Sequence, residues 1–496
     1  MRLTEEQAKA VASRAAIVLV EAAPGSGKTR TAIARYTAHF NEGGKCDEVV
    51  IITFTNAGAI ELAKRIKELC LPKPGFIGTL HAYALMNLQR ARIAAGKTPF
   101  EVLDEETVTK SIRALAESLK VNAPLSTIMG FLSVESPNLG NKAAIVAMKW
   151  RKQCLQSGVV DFDTILALFL IELKAGRLDI ESPALLIVDE FQDSAPIDVE
   201  IYSELDADFL FIVGDTDQSI FGFRGSRVEN MLELKEMEGV EVFGLSINFR
   251  CGENVIKMAR SLISHNDRNF GSKMKGTGKI DKTEIIRPKT EGEQITALLA
   301  WARDLPKDQT AILCRTNASL QRISPVFASM MPTQSALSGS PFVTLALQAA
   351  KALVKHSIPL ATAGAFLSAS KVPMEVIRFM ASLSSNSPEQ MVADLTAMQH
   401  EESYEGDGVF VGTLHSAKGR EWDHVAIVDV VQECFPAQKR GSELEAERRL
   451  FYVGITRARE SLLISAPEMW TPPFCRGMLP AHESQFIMET LKTWGE

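Results

Sequence analysis

The sequence IVLVEAAPGSGKT occupies residues 17–29, and the rest of the chain can be interpreted outward from it. Its first part, Ile17–Val20, is short, apolar and β-branched, which is typical of a buried strand. The segment 22–29 is rich in glycine, and a helical pattern continues from it to about His39. Strand, glycine-rich loop and helix in this order are the beginning of a βαβ unit.

The same alternation recurs along the chain. Apolar runs at Val49–Phe54, Leu185–Val188 and Phe209–Val213 read as further buried strands. Short apolar strands that alternate with helices predict a parallel sheet covered on both faces. A second strand series is predicted at Val242–Leu245, Thr310–Cys314, Val409–Val411, Val425–Val431 and Leu462–Ser465. The fold class is therefore predicted to be α/β, with two such sheets.

Two long stretches carry helical rather than strand patterns, namely residues 81–184 and the Ser-, Ala- and Met-rich residues 331–404. We predict a first α/β domain at 1–80 and 185–243 with a helical insertion at 81–184, and a second α/β domain at 244–330 and 405–496 with a reduced helical insertion at 331–404. Residues 265–287 carry six basic residues among glycines, which favours a solvated basic loop over a DNA clamp.

Composition and charge limit the possible functions. Of 496 residues, 46% are hydrophobic and 23% charged, which excludes global disorder and a fibrous chain. Lys plus Arg number 54 and Asp plus Glu 61, so the formal charge is −7 and any polyanion must be bound by a local patch. The seven cysteines include no C-x-x-C pair, which argues against a disulfide framework and a zinc site. With neither an apolar signal region nor a membrane-length apolar run, we expect a soluble, cytoplasmic protein.

The glycine-rich loop has the composition of a triphosphate site. Its predicted phosphate donors are the backbone N–H groups of Gly25, Ser26, Gly27, Lys28 and Thr29. Lys28 adds a positive charge for the β- and γ-phosphates, and the Thr29 hydroxyl is a predicted Mg²⁺ ligand. Ala22 stands where the strict pattern has glycine. Because a strand precedes the loop and a helix follows it, a bound nucleotide is favoured over a chance glycine-rich turn.

The partner of such a loop is an acidic residue at the end of a buried strand, and Leu185–Val188 is followed by Asp189 and Glu190. Alone, this dipeptide is more often a strand-end turn. Paired with the loop, it predicts that Asp189 holds Mg²⁺ and that Glu190 polarises the attacking water. The two carboxylates therefore favour hydrolysis over an inactive nucleotide switch.

An ordered set of motifs resembles the superfamily 1 DNA helicases of the UvrD/Rep/PcrA type. The motifs are LTEEQAKAV (3–11), IITFTNAGAIEL (51–62), GFIGTLHAY (75–83), GVVDFDTIL (158–166), LLIVDEFQD (185–193), VGDTDQSIFGFRG (213–225), LSINFR (245–250), AILCRTN (311–317), TLHSAKGREW (413–422) and ERRLFYVGITRAR (447–459). The resemblance implies two RecA-like parallel-sheet P-loop domains with a mostly helical insertion in each, and ATP as the nucleotide.

Roles at the nucleotide follow from this resemblance. It implies that Gln7 reads the adenine edge, that Arg30 and Phe249 sandwich the base, that Gln218 senses the γ-phosphate, that Arg250 and Arg457 are arginine fingers, and that Glu421 contacts the ribose. Guanidinium groups suit the charge that develops on the phosphoryl oxygens. If they belong to the second domain, the cleft must close for hydrolysis.

A path for DNA follows from the same motifs. The predicted contacts are Phe54, Thr55, Asn56, Thr79, His81, Phe221, Phe223, Arg224, Thr413 and His415. An aromatic face stacks a base with little regard to sequence. Phe221 and Phe223 stand where the family usually has Tyr and Trp, and Ala57 replaces a usual Lys. For the two histidines, a structural role is about as well supported as DNA contact.

The chain also departs from the family in length. The insertion at 331–404 is far shorter than the corresponding regulatory subdomain, and the short, Pro-rich segment 466–480 takes the place of a duplex-splitting hairpin. Trp470 or Phe474 is a candidate wedge in it, although core packing is the favoured interpretation. Movement on single strands is thus better supported than vigorous unwinding.

Three functions are compatible with these features. The first is an ATP-dependent translocase and 3′-to-5′ helicase acting on single-stranded DNA and on duplex with a single-stranded tail. The second is a DNA-stimulated ATPase that regulates a partner such as a nuclease, as in Gabija-type defence modules. The third is an RNA helicase, since no residue demonstrably excludes a 2′-hydroxyl.

Overall fold

A computed structural model of the chain describes residues 2–103, 105–132, 140–222, 225–336, 341–370, 372–373, 376–377, 380–381, 383, 385–399, 404–405, 408–437, 440–472 and 477–491. Phe223 and Arg224, which were predicted to contact DNA, lie outside these residues, and so does Phe474, a candidate wedge for which core packing was the favoured interpretation. Within this part of the chain, no helix combines the length and apolar character that crossing a bilayer requires.

The first sheet is built around the strand that precedes the glycine-rich loop. In the described residues its parallel strands lie in the order Phe76–Thr79, Val49–Thr53, Leu185–Val188, Leu210–Gly214, Ile17–Ala22 and Val240–Leu245. Val49 and Ile51 pack into one apolar cluster and Val50 and Ile52 into another. Both faces of the sheet are therefore covered, as expected for a parallel sheet.

Helices surround and interrupt this sheet. Those on its faces are Glu5–Ala12, Lys28–Asn41, Asn56–Glu68, Pro196–Glu204 and Val228–Glu236. Those between the strands Phe76–Thr79 and Leu185–Val188 are Leu80–Ala94, Glu105–Ser118, Leu125–Gly130, Lys142–Ser157 and Phe162–Lys174, with a short parallel pair formed by Glu101–Val102 and Val159–Val160. The predicted, mostly helical character of 81–184 is confirmed for the described residues of that range.

The second sheet is also parallel. Its strands, within the described ranges, lie in the order Phe410–Thr413, Thr310–Cys314, Trp422–Ile427, Ala458–Ser465 and Lys282–Ile286. The helices that accompany it are Glu253–Ile263, Glu291–Arg303, Asn317–Met330, Gly441–Ile455 and Gln485–Leu491. Short 3-10 turns lie at Phe191–Asp193, Thr216–Gln218, Gly271–Lys273 and Lys307–Gln309. Two parallel sheets with helices confirm the predicted α/β class, and the four-part domain division stays a prediction.

Two strand predictions were wrong. Val242–Leu245 was predicted to begin the second sheet, but Val240–Leu245 pairs in parallel with Ile17–Ala22 at the edge of the first sheet. Residues 265–287 were predicted to be a loop, but Lys282–Ile286 is an edge strand of the second sheet, paired with Ala458–Ser465. Edge strands keep polar residues on their open side, so neither segment has the continuous apolar pattern of a buried strand.

The second insertion is helical where the structure describes it. Its helices are Pro341–Lys355, Leu360–Ala369 and Pro388–Gln399. Ser335–Ala336 leads into it and pairs in antiparallel fashion with Tyr404–Glu405, which leads out of it. The two chain crossings therefore lie side by side.

The Pro-rich C-terminal segment contains an antiparallel pair, Met469–Trp470 with Leu479–Pro480. Trp470 is only 4% exposed and packs into the core of the second sheet. Core packing, the favoured interpretation, is confirmed for Trp470, which is not positioned to act as a wedge.

Candidate active site

One cleft of about 2100 Å³ is lined by residues from both sheets and contains most of the predicted site. The lining residues that were predicted are Gly25, Gly27, Lys28, Thr29, Arg30, Phe54, Thr55, Asn56, Thr79, His81, Asp189, Glu190, Gln218, Phe221, Phe249, Arg250, Thr413, His415, Glu421 and Arg457. We call the part around the glycine-rich loop, Asp189 and Arg457 the nucleotide half, and the part around Phe54, His81 and His415 the nucleic-acid half.

The glycine-rich loop requires its glycines. Gly25 and Gly27 have φ angles of 63° and 88°, in the left-handed region that favours glycine. A Cβ on Gly25 would lie 2.6 Å from the Cβ of Arg250, and one on Gly27 would lie 2.7 Å from Nε2 of Gln7. The N–H of Phe249 also donates to the Gly25 carbonyl at 3.0 Å. The loop is therefore in close contact with the segment that carries Arg250.

Lys28 lies among the carboxylates at the strand ends. Its Nζ is 3.9 Å from Oε2 of Glu190 and 3.8 Å from Oδ2 of Asp215. Asp189 directly follows the strand Leu185–Val188, and the Thr29 hydroxyl donates to its Oδ2 at 3.4 Å. The predicted phosphate-binding lysine and the two predicted acidic residues are thus brought together.

The two adjacent carboxylates titrate in opposite directions. Burial alone would raise the pKa of Glu190, but the positive charges of Lys28 and Lys418 outweigh it and hold that pKa below its ordinary value. Burial, followed by the charge of Glu190, raises the pKa of Asp189, and Lys28 opposes this only in part. Glu190 is accordingly ionised at neutral pH, whereas burial and the neighbouring charge of Glu190 favour the neutral form of Asp189.

The oxygens of Thr29 and Asp189 fit a magnesium ion. Mg²⁺ prefers oxygen ligands and is commonly held by one or two protein groups together with water and phosphate oxygens. Among the described residues there is no cluster of three or more His, Cys, Asp or Glu side chains that could hold a metal alone. One hydroxyl and one carboxylate leave the other ligand positions of a Mg²⁺ ion to water and phosphate oxygens, so the pair suits an ion that is bound together with a nucleotide.

A chain of hydrogen bonds crosses the nucleotide half of the cleft. Nε2 of Gln218 donates to Oδ2 of Asp215 at 2.5 Å, and Nη2 of Arg457 donates to Oε1 of Gln218 at 2.5 Å. Asp215 follows a strand of the first sheet, and Arg457 precedes a strand of the second. Arg457 is 2% exposed, and burial lowers its pKa to about 10, so it remains cationic at neutral pH. One glutamine side chain, that of Gln218, therefore joins the carboxylates around Lys28 to the second sheet.

Arg250 is held by Glu421, which also pairs with Arg459. Nη1 of Arg250 donates in addition to the carbonyl of Thr456 at 3.2 Å. Burial would raise the pKa of Glu421, but Arg250 and Arg459 lower it to about 2. Glu421, predicted to contact the ribose, thus serves as the carboxylate partner of a predicted arginine finger.

Of the three residues predicted to bind the adenine base, two are exposed and one is buried. Phe249 is 51% exposed, and Arg30, also exposed, donates to the carbonyl of Arg2. Gln7 is buried: its Oε1 accepts from the N–H of Thr4 at 3.1 Å and its Nε2 donates to the Ser26 carbonyl at 2.9 Å. Gln7 therefore forms a hydrogen bond to the main chain of the glycine-rich loop. Of the predicted base contacts, Arg30 and Phe249 line the cleft.

Aromatic side chains in the nucleic-acid half stack on one another. The rings of Phe54 and Phe221 lie 5.1 Å apart at an interplanar angle of 24°, and Phe221 is only 8% exposed. His415 lies 6.4 Å from Phe221. The ring of His81 stacks on Phe162 at 4.1 Å and 6°. A base could therefore enter either stack only if its rings separated.

The predicted polar contacts of this half also have structural roles. Thr55 caps the helix that begins with the buried Asn56 by accepting from the N–H of Gly58, and Thr79 caps the next helix by accepting from the N–H of Ala82. Thr413 accepts from the N–H of Ser416 at 3.2 Å. Helix caps of this kind contribute about 1 kcal/mol each to stability.

Sequence reasoning gave no role to three residues that the structure brings into the cleft. Nζ of Lys418 lies 2.5 Å from Oδ2 of Asp193, donates to the carbonyl of Gln218 at 2.5 Å and lies 5.1 Å from the centre of the Phe221 ring. Burial raises the pKa of Asp193 to about 6, and Lys418 opposes this. Phe162 is the third. All three fall inside the motifs quoted above, which was the available signal.

Comparison with known families agrees with this geometry. A family model described as the UvrD/REP helicase N-terminal domain matches residues 3–130 and 126–238. A second, described as the UvrD-like helicase C-terminal domain, matches residues 376–469. Together these matches cover well over half of the chain.

Individual relatives are similar over much of their length. DNA helicase II of Salmonella typhimurium is 26% identical over 623 aligned positions, which cover 94% of this chain and 84% of that protein. The ATP-dependent DNA helicase PcrA of Leuconostoc citreum is 27% identical, over 68% of this chain and 50% of its own. The ATP-dependent DNA helicase Rep of Buchnera aphidicola is 27% identical, over 65% and 50% respectively.

Proposed function

Because this chain belongs to the UvrD-like helicase family, we propose that it is an ATP-dependent DNA helicase that moves in the 3′-to-5′ direction along single-stranded DNA. Its substrates are single-stranded DNA and duplex with a single-stranded tail. ATP hydrolysis in the nucleotide half of the cleft drives the movement. The observation that carries the proposal is the Asp215–Gln218–Arg457 chain of hydrogen bonds. Through the side chain of Gln218, it joins the carboxylates around Lys28 to the second sheet.

The nucleotide half binds and orients ATP. The N–H groups of the glycine-rich loop and Lys28 bind the phosphates, and Arg30 and Phe249 hold the base. Thr29 and Asp189 hold Mg²⁺, which supplies charge neutralisation to the phosphates when bound. Glu190, ionised at neutral pH because of Lys28 and Lys418, accepts a proton from the attacking water.

Two arginines that are held by segments beside the strands of the second sheet stabilise the developing charge. Arg250 exchanges Glu421 for a phosphoryl oxygen, and Arg457 reaches the same group beside Gln218. Arg457 already contacts Gln218, and the segment that carries Arg250 already contacts the glycine-rich loop through the hydrogen bond from the N–H of Phe249 to the Gly25 carbonyl. When phosphate leaves, these contacts loosen, and the nucleotide state sets the spacing of the two sheets.

The nucleic-acid half converts changes in the spacing of the two sheets into movement along DNA. Bases stack on Phe54 and Phe221, and on His81, and backbone phosphates meet polar groups such as Thr413 and His415. The Phe221 ring touches Lys418, which in turn contacts the Gln218 carbonyl. Separation of the rings by a base therefore acts on a residue that neighbours the nucleotide.

The decisive experiment measures ATP hydrolysis with and without single-stranded DNA, together with strand displacement on duplexes carrying a 3′ or a 5′ tail. We expect stimulation by DNA and displacement from the 3′-tailed duplex alone, and loss of both in Lys28→Ala. Displacement from the 5′-tailed duplex would contradict the direction, and absence of any stimulation would contradict the coupling.

The same assay separates the other two functions predicted from the sequence. A regulator of a nuclease would hydrolyse ATP without displacing a strand, and no observation in the described part of the chain favours that role. An RNA helicase would be stimulated at least as strongly by single-stranded RNA as by DNA of equal length.

A further inference from the structure

Asp217 is a buried carboxylate beside the first sheet that binds the main chain of a distant segment. It lies in the 3-10 turn Thr216–Gln218, which follows the strand Leu210–Gly214, and it is only 1% exposed. Its Oδ2 accepts from the N–H of Phe270 at 2.7 Å and from the N–H of Gly271 at 2.6 Å. One side-chain oxygen therefore holds two successive main-chain groups that lie 53 and 54 residues further along the chain.

The segment held in this way is closely packed. A Cβ on Gly271 would lie 2.2 Å from Oη of Tyr452, whose side chain is fully buried in the core of the second sheet. A Cβ on Gly244, in the edge strand of the first sheet, would lie 3.0 Å from the ring of Phe270. The two main-chain groups therefore have little room to move away from the carboxylate.

The same segment supports the predicted arginine finger Arg250. The Lys275 carbonyl accepts from the N–H of Asn248 at 2.8 Å. Oδ1 of Asn248, which is fully buried, accepts in turn from the N–H of Arg250 at 2.8 Å. Residues 270–275 therefore connect Asp217 with Arg250.

Asp217 and Gln218 are neighbours that make two different contacts beside the second sheet. Gln218 accepts from Nη2 of Arg457 at 2.5 Å. Asp217 instead holds the segment that leads to Arg250. One short turn after a strand of the first sheet therefore contacts the supports of both predicted fingers.

The contacts of Asp217 require an acceptor oxygen and not a negative charge. Burial, followed by the charge of Asp215, raises the pKa of Asp217 to about 8, and the N–H groups of Gly271 and Phe270 oppose this. Oδ1 of Asp217 has no hydrogen-bond partner in the part of the chain that the structure describes. A neutral side chain with one accepting oxygen makes the same two contacts, so asparagine is a close mimic, whereas alanine removes the acceptor.

We propose that Asp217 is a positioning residue for ATP hydrolysis, which fixes the place of Arg250 relative to Gln218. It does so through residues 270–275 and Asn248. The inference rests on the proposed function, in which Arg250 reaches the phosphate. Asp217 is not among the described residues that line the cleft, so it acts through the finger rather than on the nucleotide.

Two substitutions of Asp217 test this role. Asp217→Ala should lower kcat by about 10²-fold, the loss that a displacement of about 1 Å can cause, because Arg250 loses its support. KM for ATP should change little, since the N–H of Phe249 still binds the glycine-rich loop. Asp217→Asn should keep most of the turnover. The rates are measured with and without DNA, and Asp267→Ala, at an exposed aspartate of the preceding turn, is the control that should be silent.

A double variant shows whether Asp217 acts through Arg250. In an Arg250→Ala background, where the finger is already absent, Asp217→Ala should cost little further turnover, because the two losses share one cause. A second loss of the same size would mean that Asp217 supports the fold, and would overturn the inference. Wild-type turnover in Asp217→Ala would also overturn it, and so would an Asp217→Asn variant as slow as the alanine variant.

A steric variant displaces the same segment from the other side, and keeps the inference testable if Asp217→Ala does not fold. Gly271→Ala places a methyl group against Oη of Tyr452 and should lower kcat in the same way. Tyr452→Phe removes that oxygen, which has no hydrogen-bond partner within the described ranges, and should restore part of the turnover of Gly271→Ala. Wild-type turnover in a folded Gly271→Ala variant would contradict the inference. If DNA does not stimulate the wild-type enzyme, the coupling in the proposed function fails, and the unstimulated rates still decide the role of Asp217.

Discussion

In the nucleotide half of the cleft, polar and charged side chains form a network across the two sheets. In the nucleic-acid half, by contrast, aromatic rings stack on one another and hydroxyls cap helices. Lys28, Gln218 and Arg457 form a connected polar set across the two sheets. Phe54 and Phe221 instead stack together, and Thr79 caps a helix. The first half already holds its charged groups close together, although under the proposed function Arg250 must exchange Glu421 for phosphate, whereas a base can enter the Phe54–Phe221 stack of the second half only if the rings separate.

Under the proposed function, this difference predicts that the nucleic-acid half acts as the sensor. A preorganised site stabilises charge without reorganisation at the moment of reaction. A site that must open gains or loses contacts when its ligand binds, and those differences are what shift a conformational equilibrium. Lys418 touches both halves, since it contacts Asp193 and the Gln218 carbonyl on one side and Phe221 on the other.

The largest expected effect isolates the nucleotide half. Glu190→Gln removes the base, and because general-base catalysis contributes about 10²–10⁴-fold, hydrolysis should slow by that factor with ATP and DNA affinity retained. Turnover and equilibrium binding of a fluorescent ATP analogue measure this. Glu204→Gln, at an exposed carboxylate on the next helix, should be silent. Normal turnover in Glu190→Gln would show that Glu190 is not the base, and that the nucleotide half is not arranged for hydrolysis in the way described.

A smaller effect is expected where the halves meet. Lys418→Met keeps the length of the side chain but removes its charge from Asp193 and Gln218. The stimulation of hydrolysis by DNA should fall by about 5–150-fold, the range of a typical coupling free energy, and by more than the unstimulated rate falls. Lys418→Arg should retain part of the stimulation. An equal loss of both rates would mean that Lys418 supports the fold rather than the coupling.

A third variant isolates the nucleic-acid half. Phe54→Leu keeps an apolar side chain but removes the aromatic face, so single-stranded DNA should bind more weakly by about 1–3 kcal/mol, with ATP affinity unchanged. Fluorescence anisotropy with a labelled oligonucleotide measures the loss. Phe40→Leu, at a phenylalanine that is 40% exposed on the helix Lys28–Asn41, is the control. Undiminished affinity would mean that the Phe54–Phe221 stack stays closed on DNA.

The smallest effect concerns the helix Pro388–Gln399, which docks on the edge of the first sheet behind the nucleic-acid half. Burial raises the pKa of Asp394 to about 7, against the opposing effects of Ser385 and Lys73. A raised carboxylate pKa means that docking favours the neutral acid, so the stabilisation is complete in acid and is lost as pH rises through about 7. Hydrogen exchange of residues 385–399 should therefore be faster at pH 8 than at pH 6, after correction for intrinsic rates. Asp394→Asn should abolish the difference, and a difference that survives would have another origin.

Strands with continuous apolar runs could be predicted from the sequence. Leu185–Val188 and Thr310–Cys314 have the predicted bounds, because a strand buried on both faces leaves an unbroken local signal. Val240–Leu245 could be recognised as a strand in part but was assigned to the wrong sheet, since pairing partners distant in sequence leave no local trace. Lys282–Ile286 has three polar residues followed by two isoleucines, a composition that an edge strand tolerates, and it was missed because it lacks a continuous apolar run.

In the candidate site, too, features with a local sequence signal could be predicted, whereas features set by distant contacts could not. The glycine-rich loop could be predicted because its function depends on backbone geometry that only certain residues permit, as at Gly25 and Gly27. The mutual stacking of Phe54 with Phe221 could not, since a motif indicates which residue is present and not what covers its ring. The amides of Asn386 and Gln390 donate to main-chain carbonyls at the edge of the first sheet, and such contacts impose no periodic pattern.

The pairing of Ser335–Ala336 with Tyr404–Glu405 has a consequence for how this architecture can vary. Neighbouring entry and exit points require only that the two ends of the inserted segment lie close together, which is the condition under which domain insertion is tolerated. Whole subdomains can therefore be gained, trimmed or exchanged at this one position while the second sheet keeps its register. A foreign compact domain whose termini lie close together could be grafted there, so this position is suited to the insertion of domains that bind other partners.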